Sequence, residues 1–148
     1  MIAVGSDHGG YLLKQEIINY LKEKGVEFKD FGCFSEDSCN YPEMAKAPCL
    51  AVTKKEADCA LLFCGTGIGI SIAANKIKGI RAAVVSDSFS ARYSRLHNNA
   101  NVLCLGGRVV GAGLATEIVD VFLETSPDSG KRHHDRVSMI MDIESGNY

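Results

Sequence analysis

The feature of this sequence that most limits its possible folds is the unbroken apolar run CALLF at residues 59–63, which leads into the glycine-rich segment CGTGIG at residues 64–69. A short strand that is apolar on both faces is typical of a parallel sheet buried between two layers of helices. Parallel strands need long crossover connections, usually helical. The rest of the chain should therefore alternate between short apolar runs and longer amphipathic ones.

The chain shows that alternation throughout. Further strands are predicted at residues 2–5, 26–31, 80–85 and 102–105. Helices are predicted at residues 11–24, 44–55 with Pro42 at the start, 70–76, from an Asp87 cap to Arg95 or Leu96, 111–124 and 129–143. This order predicts a three-layer, doubly wound, Rossmann-like α/β fold with a five-stranded parallel sheet and an extra C-terminal helix. The length of 148 residues predicts a single domain over residues 1–148.

Composition argues against several classes of protein. The net charge of −2 lacks the basic surplus expected of a protein that binds nucleic acid or a membrane surface. No apolar stretch reaches the roughly 18 residues expected of a membrane span, and the opening MIAVGSDHGG does not resemble a signal peptide. We therefore expect a cytoplasmic protein with no nucleic-acid or membrane partner.

The six cysteines lack the spacing of paired zinc ligands, so we expect no metal site and mostly buried, reduced thiols.

Polar and glycine-rich segments follow four of the predicted strands. They are Ser6-Asp7-His8-Gly9-Gly10, Cys64-Gly65-Thr66-Gly67-Ile68-Gly69, Ser86-Asp87 and Gly106-Gly107-Arg108. Ligands of doubly wound sheets bind beyond the carboxyl ends of the strands. These segments therefore lie where a site is expected.

The segment from Gly65 to Gly69 joins a strand to a helix, and the free N–H groups at a helix start favour an anion. A tight turn without a ligand is the alternative, but three glycines and a threonine exceed what a turn requires. The loop lacks the Gly-Lys-Ser/Thr of a P-loop. Ile70 stands where a dinucleotide fingerprint needs glycine and where a phosphatase loop needs arginine.

Cys64 lies at the start of this loop, where nearby amides should stabilise its thiolate. A thiolate can act as a general base. A buried structural thiol is the alternative.

His8 and His97 both stand near strand or helix ends, which we expect to lie on the site side and which favours acid–base or anion-binding roles. Either could instead be structural. The adjacent His133 and His134 should lie on a solvated helix face. Arg108, with Arg132 and Arg136 four residues apart on one helix face, are phosphate candidates, although an exposed charged helix is the simpler interpretation of the last two.

Together these motifs resemble the ribose-5-phosphate isomerase type B family, which includes the galactose-6-phosphate isomerase subunits. The matching stretches are GSDHGG at residues 5–10, NYP at 40–42, CGTGIG at 64–69, HNNANVL at 97–103, GGR at 106–108, and Arg132 with Arg136. Each stretch is short, but together they span nearly the whole chain in the order of the family.

The resemblance implies an aldose–ketose isomerase without metal or cofactor that interconverts ribose 5-phosphate and ribulose 5-phosphate through a cis-enediolate. A six-carbon sugar phosphate, from allose or galactose, is the alternative substrate. By this resemblance Cys64 is the base, and the backbone of Gly65, Thr66, Gly67, Ile68 and Gly69 holds the oxyanion. Thr66 assists by hydrogen bonding. Some family members use a glutamate where this chain has Ile70, which supports the cysteine as base.

The remaining site residues are also assigned by resemblance. His97 opens the furanose ring with Asp7 as a partner for hydroxyl protons, and Asn98 contacts the sugar. The phosphate is held by His8, Arg108, Arg132 and Arg136. The family builds its sites between subunits, so we expect a homodimer or tetramer with shared sites. A nucleotide-binding domain and a non-catalytic sugar-phosphate-binding module are the competing hypotheses; Ile70 argues against the first, and Cys64 with His97 against the second.

Overall fold

The computed structural model describes residues 1–147, which form one parallel sheet with helices on both faces. The strands are β1 (Ile2–Ser6), β2 (Phe28–Asp30), β3 (Cys59–Cys64), β4 (Ala82–Val84) and β5 (Val102–Gly106). The helices are α1 (Tyr11–Glu23), α2 (Tyr41–Thr53), α3 (Ile68–Ala74), α4 (Ser88–Asn98), α5 (Ala112–Glu124) and α6 (Lys131–Glu144). A 3-10 turn at His8–Gly10 joins β1 to α1.

The five strands are parallel and lie in the order β2-β1-β3-β5-β4. The predicted fold class is therefore confirmed, including the additional helix at the C-terminal end. The edge strands β2 and β4 are shorter than predicted, with three residues each. An edge strand pairs on one side only, so its hydrogen-bonded segment can be shorter than the apolar run seen in the sequence.

The central strand β3 is buried on both faces, as the apolar run at residues 59–63 predicts. Leu61 and Phe63 pack into one core cluster with α1, α4 and α5. Ala60 and Leu62 face the opposite cluster, which is closed by α2 and α3. Alternating side chains thus serve two cores, which explains why the strand contains no polar residue.

The helices that follow the neighbouring strands β1 and β3 lie on opposite faces of the sheet. Helix α1 packs in the first core cluster, whereas α3 packs in the second. The loops that lead to these helices must diverge at the carboxyl edge of the sheet. A crevice between diverging loops is where doubly wound folds bind ligands.

Helix α4 runs back from the carboxyl edge of the sheet to the amino edge. It begins just after β4 and ends just before β5, and its 11 residues span about 16 Å. At its C-terminal end the carbonyls of Asn98 and Asn99 accept hydrogen bonds from Nε of Arg81, which directly precedes β4. Helix α6 packs against α4. Residues at the end of α4 therefore lie at the amino edge of the sheet.

Among residues 1–147, no helix combines the length and the apolar character that a bilayer span requires.

A buried ion pair ties α1 to the end of β2. The Lys14 side chain has no solvent exposure, and its Nζ donates to Oδ1 of Asp30 at 2.8 Å and to Oδ2 at 2.9 Å. The same ammonium also donates to the carbonyl of Cys33. This single cation therefore joins the helix, the edge strand and the loop that follows the strand.

Replacing this lysine by an apolar residue of similar length should destabilise the protein. In Lys14→Met the Asp30 carboxylate loses its cation in a partly buried site, so we expect the free energy of unfolding to fall by about 3 kcal/mol. Urea unfolding at a fixed protein concentration measures the change. Lys22→Met, on the exposed side of the same helix, is the matched control and should change it by less than about 0.5 kcal/mol. Equal effects of the two substitutions would contradict this role for Lys14.

Candidate active site

Three loops meet at the carboxyl edge of β1, β3 and β5. The N–H of Asp7 donates to the carbonyl of Phe63 at 3.0 Å, which joins the first loop to the end of β3. The N–H groups of Gly107 and Arg108 donate to the carbonyls of Cys64 and Gly65 at 2.8 and 3.0 Å. Backbone hydrogen bonds therefore hold three of the four predicted loop segments in one place.

Glycines allow these loops to touch through their backbones. A Cβ on Gly10 would overlap the backbone of Phe63, and one on Gly107 would lie 2.7 Å from the carbonyl oxygen of Gly9. Both contacts exclude any larger residue at these positions. Part of the glycine content of the loops is thus explained by packing alone.

The glycine loop directs an amide at the sulfur of Cys64. Gly67 adopts a left-handed conformation with φ of +78°, and its N–H donates to Sγ of Cys64 at 3.1 Å. The cysteine is only 4% exposed. Such a donor favours negative charge on sulfur. The sulfur is therefore buried but has a polar group beside it.

Two amides of this loop, those of Gly65 and Thr66, remain available to a ligand. The N–H of Ile68, in contrast, already donates to Oγ1 of Thr66 at 3.3 Å. Within the described part of the chain, the N–H groups of Gly65 and Thr66 have no hydrogen-bond acceptor. Paired free amides beside a nucleophilic or basic group are the usual components of an oxyanion hole.

Asp7 and His8 are held at the end of β1 by backbone amides. Asp7 is 6% exposed, and its Oδ1 accepts from the N–H of Gly10 at 3.0 Å. Nδ1 of His8 accepts from the N–H of Cys39 at 3.2 Å. Because that nitrogen is an acceptor, neutral His8 carries its proton on Nε2. His8 therefore presents a donor to any anion in front of it.

The guanidinium of Arg108 lies over the glycine loop. Its Nη1 lies 3.1 Å from the position that a Cβ on Gly65 would occupy. The residue is exposed, so this cation can contact a ligand that binds at the loop. The structure thus brings five predicted residues or segments together: Asp7, His8, the Cys64–Gly69 loop, its Thr66 side chain and Arg108.

Tyr41 is a site neighbour that the sequence interpretation did not assign. Its ring lies 3.0 Å from the position of a Cβ on Gly69, so it covers the second half of the glycine loop. The strand-end rule was applied to four loops but not to the loop after β2, which leads to this tyrosine at the start of α2. Applying the same rule to that loop would have indicated Tyr41, because Pro42 marks the start of the next helix.

The expectation that His8 and His97 lie on the same side is wrong for His97 within one chain. His97 and Asn98 end α4 and therefore lie at the amino edge, about 16 Å along the helix from its start. Arg132 and Arg136 lie on α6, which packs against α4. The predicted site residues thus form two groups at opposite edges of the sheet. The predicted order of strand, helix and parallel strand already implies this position, because the connecting helix must return to the amino edge of the sheet.

His133 also differs from expectation, since it is buried rather than solvated. Its ring stacks on that of His97, with centroids 4.1 Å apart and planes 4° from parallel. Burial lowers the pKa of His133, and the neighbouring His97 and Arg132 lower it further. His134, in contrast, is exposed as predicted. The stacked pair joins α6 to α4 beside the two arginines.

The other buried cysteines have the apolar surroundings that were expected. Burial raises the pKa of Cys49 to about 12 and that of Cys59 to about 11, and it also raises the pKa of Cys104. Cys33 and Cys39 are half-buried in the loop after β2. Cys64 differs from the other buried thiols by its amide donor and by its position at the carboxyl end of β3.

Comparison with known proteins gives consistent matches over nearly the whole chain. Residues 2–140 match the family model described as Ribose/Galactose Isomerase. The chain is 51% identical to ribose-5-phosphate isomerase B of Escherichia coli (strain K12), with 97% of this chain and 95% of that protein covered. It is 42% identical to galactose-6-phosphate isomerase subunit LacB of Clostridium acetobutylicum, with coverages of 97% and 83%. The solved structure of ribose-5-phosphate isomerase B from Clostridium thermocellum has a TM-score of 0.95 at 50% identity and covers 99% of both chains.

The left-handed glycine of the loop provides a test of this local geometry. In Gly67→Ala the new Cβ would lie 2.9 Å from the backbone of Leu105, in a conformation that costs a non-glycine residue about 1–2 kcal/mol. We expect the free energy of unfolding to fall by about 2 kcal/mol or more. Gly113→Ala is the matched control, because its Cβ meets no atom within 4 Å and a helical alanine should leave stability equal or slightly higher. Thermal or urea unfolding of both variants distinguishes the two outcomes, and an unchanged Gly67→Ala protein would contradict the geometry.

Proposed function

The chain belongs to the ribose/galactose isomerase family and is an isomerase, and we propose that it interconverts ribose 5-phosphate and ribulose 5-phosphate. The similarity to ribose-5-phosphate isomerase B exceeds that to the galactose-6-phosphate isomerase subunit, at 51% against 42% identity. The observation that carries the proposed chemistry is the sulfur of Cys64, which accepts an amide hydrogen bond beside two free amides.

Cys64 is the base in this proposal. In the open-chain aldose the C2 hydrogen is acidic, because the adjacent C1 aldehyde can accept the electron pair. The thiolate takes that proton, and the electron pair moves to O1 to form a cis-enediolate. The new S–H then returns the proton to C1 while a hydroxyl proton moves from O2 to O1. The net result is transfer of one hydrogen from C2 to C1.

The glycine loop stabilises the charge that develops on the substrate oxygen. The free N–H groups of Gly65 and Thr66 are positioned before the substrate arrives and need no rearrangement. Preorganised donors of this kind provide a large part of the rate enhancement in many enzymes. Asp7, fixed by its hydrogen bond to Gly10, exchanges the hydroxyl protons.

Four cationic or donor groups hold the phosphate end of the sugar. His8 donates through Nε2, and Arg108 lies directly over the loop. Arg132 and Arg136 contribute planar guanidinium groups that can bind phosphate oxygens in pairs. These last two lie with His97 and Asn98 at the opposite edge of the sheet, so one chain alone cannot complete the site.

A second copy of the chain completes the site in our proposal. In a two-fold dimer the amino-edge group of each chain can face the carboxyl-edge group of the other, which produces two shared sites. Large apolar side chains are exposed beside both groups: Ile68, Ile72, Phe89, Val109, Met139 and Ile143. Exposed apolar surface of this kind is typical of interfaces between subunits. His97 then opens the furanose ring held by the partner's loop, and Asn98 contacts the sugar.

Removing the proposed base should abolish turnover. In Cys64→Ala the proton has no acceptor, so kcat for ribose 5-phosphate should fall by at least about 100-fold, while binding of inorganic phosphate persists. Cys49→Ala, which removes a buried thiol outside the site, is the matched control and should retain most of kcat. A coupled assay of ribulose 5-phosphate formation measures the turnover of both variants. A parallel assay with galactose 6-phosphate as the substrate shows which sugar the protein prefers. Near-normal turnover of Cys64→Ala would refute the assignment.

Shared sites can be tested by mixing two inactive variants. Cys64→Ala and His97→Asn each inactivate both sites of their own dimer. A mixed dimer has one intact site, with Cys64 from one chain and His97 from the other. Because half of randomly reassociated dimers are mixed, an equal mixture should recover about one quarter of the wild-type activity.

The two parents, each reassociated alone, are the controls for that experiment. Sedimentation of the mixture shows that dimers have formed again. A reassociated mixture that remains as inactive as its parents would contradict sites shared between chains.

A further inference from the structure

We propose that His133 is a positioning residue, which holds the imidazole of His97 in the orientation required for opening the furanose ring. The inference rests on the proposed function, because it assigns the way in which one of its residues is oriented. It concerns a residue for which the sequence predicted only a solvated surface.

The ring of His97 is held by its faces rather than by its nitrogens. His133 stacks on one side at 4.1 Å between centroids, and Tyr93 packs against the ring at 4.7 Å with planes 60° apart. Throughout residues 1–147, neither ring nitrogen of His97 takes part in a hydrogen bond. An acid–base histidine is usually oriented by a hydrogen bond to its second nitrogen. Here aromatic packing has to perform that task.

This arrangement leaves both nitrogens of His97 at the edge of the stack. Stacking fixes the plane of the ring, yet it occupies neither the lone pair nor the N–H. Both groups therefore remain free for a sugar hydroxyl and a ring oxygen. A hydrogen bond from the protein would have used one of them.

His133 itself is suited to support a neighbour whose charge changes. The groups around it are His97 on α4, Asp128 before α6, and Arg132, His134 and Arg136 on α6. Its Nε2 lies 3.4 Å from Nη2 of Arg132 and 3.8 Å from Oδ2 of Asp128. Burial and the adjacent cations lower the pKa of His133. The lowered pKa favours the neutral form of the supporting ring, and a neutral ring adds no cation–cation repulsion to the imidazole stacked 4.1 Å away.

A purely structural role predicts a different outcome. If His133 only anchors α6, its loss displaces Arg132 and Arg136 and weakens every step that needs the phosphate to be held. If it orients His97, its loss affects only the step at the furanose ring. Ribulose 5-phosphate separates the two roles, because its O5 is esterified and it therefore has no furanose form.

The experiment compares net conversion of ribose 5-phosphate with exchange of the C1 hydrogen of ribulose 5-phosphate in deuterium oxide. Exchange needs Cys64, the glycine loop and the phosphate contacts, but no ring step. For His133→Ala we expect net conversion in both directions to fall by about 10-fold or more, with exchange within about 2-fold of wild type. His133→Phe, which restores a flat ring, should recover most of the conversion.

The possible outcomes differ clearly. If conversion and exchange fall together in His133→Ala, His133 only anchors α6. If conversion is unchanged, His133 has no role in the reaction. Either result overturns the proposal. Wild-type protein that does not convert ribose 5-phosphate at all would instead refute the proposed function.

Proton NMR of the free protein is a second measurement, because a stacked ring shifts the His97 ring protons upfield. That shift should be kept in His133→Phe and lost in His133→Ala, and an equal spectrum for both would also overturn the proposal.

Discussion

Close backbone contact among three glycine-containing loops is the constraint on which the candidate site depends. The contact of Gly10 with Phe63 and that of Gly107 with Gly9 leave no room for side chains. They bring the ends of β1, β3 and β5 together, and within the loop after β3 the amide of Gly67 donates to the sulfur of Cys64. The buried sulfur and its amide donor are thus held by main-chain geometry rather than by flexible side chains. Rigid placement before the substrate binds is what allows such donors to stabilise a transition state.

Residues near the ends of central strands were predictable from the sequence, because the topology of a parallel sheet places them at one edge. Cys64, Asp7 and Arg108 follow apolar runs, and the carboxyl ends of parallel strands lie side by side. His97 was misplaced although the predicted topology contains the answer. A helix that joins two parallel strands begins at the carboxyl edge and must end at the amino edge. What the sequence does not contain is the second copy of the chain that the proposed shared site requires.

Tertiary contacts explain the remaining differences. The KRHHDR sequence of α6 is strongly charged, and such a pattern favours a solvated face. Yet His133 is buried because the side chain of His97, on another helix, supplies a flat partner of the same size. Tyr41 likewise packs on Gly69 only after α2 and α3 have met. Local sequence carries no information about contacts between elements so distant along the chain, whereas it does carry the strand and helix periods.

The physical properties of a thiol suit the position that the loops create. A carboxylate at 4% exposure would carry a large desolvation cost in every state of the protein, because it is ionised near neutral pH. The sulfur of Cys64 packs in the core cluster that contains Leu62 and Ile70, and it also accepts the amide hydrogen of Gly67. A cysteine side chain is small and polarizable, so it combines apolar packing with a hydrogen bond that favours negative charge on sulfur. Ile70, which has no solvent exposure, could be replaced by an acidic residue only by bringing a charge into the core. Burial at position 70 and a polar sulfur at position 64 are therefore both compatible with the proposal that Cys64, rather than a residue at position 70, is the base.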